Sequence, residues 1–186
     1  RNTQGVRVIR EPKPLAAPGA DAPNAHSPFF PHTPHAGRWH IPADLASRQE
    51  PWARELCRLY ARAASWPASI APDVGLLIHA LVRNIRPSTV IETGTCLGAS
   101  TIWIAAALAL TTSGVIHTFD MFDDPTDPRL RKAPLFKDRH NKVQARFRRA
   151  RLANNITVHV GPSAPNITQL HEHFRARGGV QLAFID

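Results

Sequence analysis

The stretch that decides the fold is Val90-Ile91-Glu92-Thr93-Gly94-Thr95-Cys96-Leu97-Gly98-Ala99-Ser100-Thr101. It begins with apolar, β-branched residues, passes through two glycines, and leads into a long apolar run. This order predicts a buried strand that ends at Glu92, a tight turn, and a helix that begins near Ala99. A second apolar run ends at Asp120. The stretch therefore predicts a strand-turn-helix unit with acidic residues at its strand ends.

Two helices are predicted before this unit. Ser47 and Glu50 have the spacing of a capping box and predict a helix that runs to about Ala64. Asp73 is predicted to cap a second helix, which Pro87 ends. The apolar residues of the second helix follow the i, i+3, i+4, i+7 rule, so we expect them to pack on a sheet. They are Val74, Leu77, Ile78, Leu81, Val82 and Ile85.

Helices and strands alternate after the unit. The pattern predicts, in chain order, a helix over 99–111, a strand over 115–119, a basic helix over 134–154, a strand over 156–160, a helix over 166–177 and a strand over 180–185. Such alternation indicates right-handed crossovers and a parallel sheet. The predicted fold class is α/β, with a Rossmann-like, doubly wound parallel sheet in which the last strand lies beside the first.

Four residues fall at the predicted strand ends, namely Glu92, Asp120, Gly161 and Asp186. Parallel sheets of this kind bind ligands at the carboxyl ends of their strands, near the point where the strand order reverses. The sequence therefore places a ligand site at this edge.

The residue types at this edge suit a nucleoside cofactor. Gly94 and Gly98 would let the backbone approach a ligand closely. The helix that follows has free N–H groups and a partial positive charge, which suit a carboxylate or phosphate, and Ser100 adds a hydroxyl donor. Asp120 suits two ribose hydroxyls and would repel a 2′-phosphate. Because the turn reads G-x-x-x-G rather than the dinucleotide pattern G-x-G-x-x-G, it favours S-adenosylmethionine over a dinucleotide.

On these residues the chain resembles the class I S-adenosylmethionine-dependent methyltransferases, most closely their small-molecule O-methyltransferase branch. The resemblance covers about residues 73–186. It is carried by the 74–85 helix, the 90–100 stretch, GVIHTFDM at 114–121, GPSA at 161–164 and LAFID at 182–186. The first 45 residues lie outside it.

The resemblance implies cofactor-binding roles for ten residues. Glu92, Gly94, Thr95, Cys96 and Gly98 would form the cofactor turn, Ser100 would reach the methionine carboxylate, Asp120 would bind the ribose hydroxyls, Met121 would lie against the adenine, and Ser163 and Ala164 would approach the adenine edge. The implied cofactor is S-adenosyl-L-methionine.

Asp186 is the candidate catalytic residue and metal ligand. In metal-dependent members of the family an aspartate at the end of the fourth strand helps to hold Mg²⁺ beside the substrate hydroxyls, and Asp186 matches that position. A plain strand-end carboxylate is the alternative. No general base is identified, since His117 lies within a strand and is predicted to pack or cap, and His159 is expected to do the same.

The implied activity is methyl transfer to a hydroxyl of a small molecule. Three alternatives stay open: a non-catalytic binding relative, a hydroxylase-like relative of the same fold, and a nicotinamide-dependent oxidoreductase. The missing middle glycine argues against the last. The acceptor substrate and a homo-oligomeric state are left open.

The chain divides into a Pro-rich arm, extended or disordered, over 1–45, N-terminal helices over 46–87, and the cofactor-binding half of the domain over 88–186. The family's sheet usually has seven strands, so the hypothesis is that the domain is truncated after the fourth strand and lacks its C-terminal half. That half normally supplies much of the acceptor pocket and the remaining metal ligands.

The bulk composition narrows the range of binding partners and cellular locations. The net charge of +9 comes largely from residues 129–151, which we interpret first as a solvated helix face and second as a docking surface for an acidic partner. No nucleic-acid-binding motif occurs, which argues against a nucleic-acid partner. No apolar run is long enough to span a membrane. Cys57 and Cys96 are the only cysteines and suggest a cytoplasmic protein.

Overall fold

Four parallel strands form the sheet of this protein. The computed structural model describes residues 39–65, 69–111, 114–122 and 132–185. The strands are β1 Thr89–Thr93, β2 Val115–Asp120, β3 Ile156–Val160 and β4 Leu182–Ile185, in the spatial order β3-β2-β1-β4. This arrangement confirms the predicted Rossmann-like sheet and the position of the last strand beside the first. The strand order reverses between β1 and β4, which is where such sheets bind ligands.

Seven α-helices are described around the sheet. They are α1 Ala43–Ala46, α2 Pro51–Tyr60, α3 Pro72–Ile85, α4 Ala99–Thr111, α5 Arg139–Arg149, α6 Ser163–Gln169 and α7 His171–Ala176. Short 3-10 turns cover Ala63–Ser65 and Ala153–Asn155.

The predicted capping box was wrong. Helix α2 begins at Pro51, and Ser47 instead donates its hydroxyl to the carbonyl of Asp44 at 3.1 Å, at the end of α1. Proline suits the first helical position because its φ is fixed there and its missing N–H is not needed. The same reason moves the start of α3 to Pro72, so that Asp73 lies within the first turn rather than at the cap.

Helix α3 buries only part of its apolar set. Ile78 and Val82 are buried, whereas Val74, Leu77, Leu81 and Ile85 are 37–69% exposed, contrary to the packing expected for all six. The buried face is set by a close approach to α4. A Cβ on Gly75 would lie 2.0 Å from the indole nitrogen of Trp103. The two helices can therefore approach this closely only because Gly75 has no side chain.

Helix α4 is the centre of the core, as its nearly continuous apolar sequence predicts. Residues 99–108 are all buried. The indole N–H of Trp103 donates to the Tyr60 hydroxyl at 3.0 Å, and the Trp52 and His79 rings stack beside it. The buried polar atoms of this aromatic cluster therefore fix how α2 and α3 sit on α4.

Two other helices differ from their predicted extents. The basic helix predicted over 134–154 covers Arg139–Arg149, and the helix predicted over 166–177 is divided at Leu170 into α6 and α7. Residues 1–38 of the predicted arm and Asp186 lie outside the described residues, whereas 43–46 form α1.

Candidate active site

The turn after β1 is held between β2 and α5. Gly94 and Gly98 have φ of 89° and 79°, a backbone conformation that favours glycine. The Gly94 N–H donates to the Phe119 carbonyl at 2.8 Å, which ties the turn to β2. A Cβ on Gly98 would lie 2.7 Å from the Phe147 ring. At Gly98 the glycine therefore serves packing against α5 as well as the turn itself.

A buried hydrogen-bond network lies beneath the turn. Oε2 of Glu92, which is fully buried, accepts from the hydroxyls of Thr101 and Thr118 at 2.5 Å each. The Thr95 and Thr118 hydroxyls are also 2.5 Å apart. Because Thr118 gives its one proton to Glu92, Thr95 donates to Thr118. The network joins β1, the turn, β2 and the first turn of α4, and the cofactor role of Glu92 and Thr95 stays a prediction.

Asp120 lies at the end of β2, directly beside the turn. Its Oδ2 accepts from the Cys96 N–H at 2.7 Å, and its Oδ1 accepts from the Phe122 N–H at 2.6 Å and from Nη2 of Arg139 at 2.9 Å. The Asp120 side chain is only 9% exposed. The carboxylate therefore faces the turn, with three donors converging on it.

Arg139 is a site residue that the sequence analysis missed. Its side chain is 11% exposed, and its guanidinium lies 5.3 Å from the centre of the Phe122 ring, which the His140 ring also contacts. The basic run around it predicted a solvated face. That interpretation is wrong for Arg139 and for Arg146, whose side chain is 6% exposed, and it holds for Arg148. A charge pattern alone does not show which arginine meets a buried carboxylate.

The other predicted residues of the turn and the first turn of α4 lie at the same edge. Cys96 has a positive φ of 45°, and burial raises the pKa of its thiol. Ser100 lies in the first turn of α4 and is 4% exposed.

Residues after β2 and β3 complete the edge. Met121 follows Asp120 and is 49% exposed. The Gly161 N–H donates to the Asp120 carbonyl at 3.0 Å, and Ser163 and Ala164 open α6 two residues later. The structure thus brings the ends of β1, β2 and β3 together, and their cofactor contacts remain predictions.

Neither a metal centre nor a histidine base emerges at this edge from the part of the chain that the structure describes. Within it, no group of three or more His, Cys, Asp or Glu side chains could hold a metal ion. Asp186, the predicted Mg²⁺ ligand, is outside that part. The described residues therefore do not by themselves make a Mg²⁺ site, no reaction step is derived through one, and the metal role of Asp186 stays a prediction.

His117 and His159 pack between the sheet and α7. Nδ1 of His117 lies 3.1 Å from Nε2 of His159, with the His173 and Phe174 rings against His117. Burial lowers the pKa of His117 to about 4, with the neighbouring His159 and His173 charges adding to the effect. These histidines are therefore packing groups, as the sequence predicted.

Comparison with known proteins gives a family match. A family model described as a methyltransferase domain matches residues 91–186, from β1 to the end of the chain. No curated protein matches the sequence. No helix among the described residues is long and apolar enough to cross a membrane.

Several solved structures share the fold. The O-methyltransferase from Bacillus cereus in complex with SAH is 20% identical, with a TM-score of 0.53 over 77% of this chain and 57% of its own. The O-methyltransferase TomG from Streptomyces achromogenes, involved in tomaymycin synthesis and in complex with SAM, is 20% identical, with a TM-score of 0.50 over 75% and 54%. Cofactor-bound Rv0187 from MTB is 25% identical, with a TM-score of 0.53 over 76% and 55%. This chain therefore spans a little over half the length of these proteins.

Proposed function

Because the chain belongs to the methyltransferase-domain family, we propose that it binds S-adenosylmethionine and takes part in methyl transfer to a hydroxyl of a small molecule. The observation that carries the proposal is the hydrogen bond from the Cys96 N–H to Asp120. It holds the acidic end of β2 against the glycine turn after β1, an arrangement that supports binding of a nucleoside at this edge.

In this proposal each part of the edge binds one part of the cofactor. The first turn of α4, with Ser100, holds the methionine carboxylate through free N–H groups and the helix dipole. Asp120 accepts from the ribose hydroxyls. The exposed Met121 and the start of α6 at Ser163 and Ala164 line the adenine.

Arg139 has to move for the ribose to bind in this way. A carboxylate offers about four acceptor positions. Three donors already lie on Asp120, so one position is left for the two ribose hydroxyls. Two of the donors are backbone N–H groups, which the turn and the end of β2 hold in place. The Arg139 side chain is the donor that can leave without a change of fold, so the ribose would replace it.

The bound cofactor supplies an activated methyl group on a sulfonium, which is a good leaving group. The acceptor oxygen would form the new bond to the methyl carbon as the carbon–sulfur bond breaks, and the electron pair of that bond would go to the sulfur. The protein's task is then to align the acceptor with that bond and to exclude water. The hydroxyl proton needs a base, which stays unassigned, and the catalytic role of Asp186 with Mg²⁺ stays a prediction that chelation would test.

The hydroxyl acceptor is supported by two of the solved structures, which are named as O-methyltransferases. The alternatives are a binding relative without activity, a hydroxylase-like relative and, less favoured, a nicotinamide enzyme. We also propose a cytoplasmic location, because Cys57 and Cys96 are both free thiols. A homo-oligomer stays a prediction that light scattering would test.

Calorimetry with S-adenosylhomocysteine, with NAD as the parallel ligand, tests the cofactor class. We expect saturable binding of S-adenosylhomocysteine alone, lost in Asp120→Asn. Asp138→Asn is the matched control, because Asp138 is an exposed aspartate whose carboxylate accepts from Asn141 in α5. Binding of NAD instead would assign the site to a dinucleotide, and equal loss in both variants would remove Asp120 from the site.

A further inference from the structure

A cavity lies behind the cofactor turn, between α2 and α5. Its volume is about 370 Å³, within the range of small-molecule sites. Residues at i, i+3, i+4 and i+7 line it from each side, and on the α2 side the last of them, Arg62, lies in the turn that follows the helix. From the α2 side these are Glu55, Arg58, Leu59 and Arg62, and from α5 they are Lys142, Ala145, Arg146 and Arg149.

The charges around this cavity do not balance. Five cationic side chains line it against a single carboxylate, that of Glu55. Arg149 binds Glu55 through two hydrogen bonds of 2.7 and 3.1 Å, and Arg58 and Arg146 lie 3.3 and 3.5 Å from its oxygens. Three guanidinium groups therefore share the single carboxylate of Glu55.

The remaining two cations pair with no carboxylate among the described residues. The Lys142 ammonium donates to the neutral Pro134 carbonyl at 2.6 Å, which does not offset its charge. Arg62 makes no side-chain hydrogen bond or ion pair with any residue that the structure describes. Both groups border the cavity and can turn toward a ligand in it.

One of the cations that line the cavity, Arg146, is itself buried. Its side chain is 6% exposed and donates through Nη1 to the Leu97 carbonyl in the cofactor turn, while its Nε lies 3.5 Å from Oε1 of Glu55, an ion pair without hydrogen-bond geometry. Burial and the neighbouring Arg149 and Arg62 charges lower the pKa of Arg146 to about 10, against the opposing effect of Glu55. An anion in the cavity would relieve this repulsion.

We propose that the cavity is a binding site for a small organic phosphate, separate from the cofactor site. Guanidinium groups match phosphate oxygens in pairs, and an ammonium adds a point charge. The cavity is also lined by Leu59 and Leu135, which are 1% and 5% exposed and give it a small apolar wall toward the organic part of such a ligand. A phosphate ester carries enough charge to offset much of the excess, which a single carboxylate would not do.

The test is calorimetric titration with pyrophosphate at constant ionic strength and without cofactor, so its result does not depend on the function proposed above. Arg62→Gln combined with Lys142→Gln removes two cations that line the cavity. Arg54→Gln combined with Arg148→Gln is the matched control, because it also removes two cations, one from α2 and one from α5, and both lie outside the cavity. We expect one saturable site, weakened at least ten-fold by the first pair and less than two-fold by the second.

Thermal unfolding first establishes that each double variant is folded. Changes in amide chemical shift on addition of pyrophosphate then show where the anion binds. Shifts that centre on 58–62 and 142–149 support the proposal. Shifts that centre on 94–100 would place the anion at the cofactor turn and overturn it. The proposal would also be overturned if both double variants weakened pyrophosphate binding equally and a single-stranded oligonucleotide showed the same dependence on them. That result would indicate a diffuse nucleic-acid-binding surface.

Discussion

Arg139 donates to the Asp120 carboxylate at 2.9 Å, with both side chains about nine-tenths buried. The carboxylate proposed to bind the ribose is therefore paired with a cation before any ligand arrives. This pair can be either a support for the site or a competitor of the cofactor. The two possibilities predict opposite effects of removing Arg139.

We expect Arg139→Met to tighten the binding of S-adenosylhomocysteine about ten-fold, since one charge-assisted hydrogen bond no longer competes with the ribose. Calorimetry measures the change. Arg148→Met, at an exposed position of the same helix, should leave the affinity unaltered. Weaker binding in Arg139→Met would instead make Arg139 a support that holds Asp120 in place.

The network under the turn gives a second prediction. Thr118→Val keeps the shape of the side chain but removes the donor to Glu92 and the acceptor for Thr95. We expect a loss of about 1–3 kcal/mol in the free energy of unfolding, because buried polar groups lose partners. Chemical denaturation measures it, with Thr157→Val on an exposed position of β3 as the control. Equal stabilities of the two variants would contradict the network.

The contact of α3 with α4 gives a third prediction. In an open helix position, Gly75→Ala would stabilise by about 0.5–1 kcal/mol. Here the new Cβ would lie 2.0 Å from a Trp103 nitrogen that is held by Tyr60, so we expect a net loss of about 1–3 kcal/mol from overpacking. Urea denaturation decides the sign. Ala80→Gly, at an exposed position of the same helix, should cost only its helix propensity, and a stabilised Gly75→Ala would show that the helices separate easily.

His117 gives a pH dependence. Its pKa is lowered to about 4 in the folded protein, whereas in the unfolded chain it is about 6.5. Between these values the unfolded chain binds more protons, so stability is lost as the pH falls from about 6.5 to 4. The lowered pKa of His79 and of His159 acts in the same direction.

We expect His117→Gln to remove on the order of 2–3 kcal/mol of this acid-dependent loss. Unfolding free energies at pH 7 and pH 4.5 measure it. His171→Gln changes an exposed histidine on α7 and should keep the wild-type slope. If His117→Gln also keeps that slope, His117 is not the group that titrates.

Much of the fold follows from local sequence. The apolar run of 99–111 predicted a buried helix with its observed bounds, and β-branched runs closed by glycine or aspartate predicted the strands to within two residues. The alternation of strands and helices predicted a ligand site at the carboxyl edge of the sheet. These features depend on neighbours in sequence, which the sequence displays directly.

The tertiary structure alone decided which charges and which apolar faces are buried. Arg139 and Arg146 read like the other arginines of a basic helix, and only their placement against Asp120 and Glu55 separates them from Arg148. Likewise, the face that α3 buries depends on the space that Gly75 leaves for Trp103. Burial is set by residues distant in sequence, because the free energy of a charge or a methyl group depends on what packs around it in the folded chain.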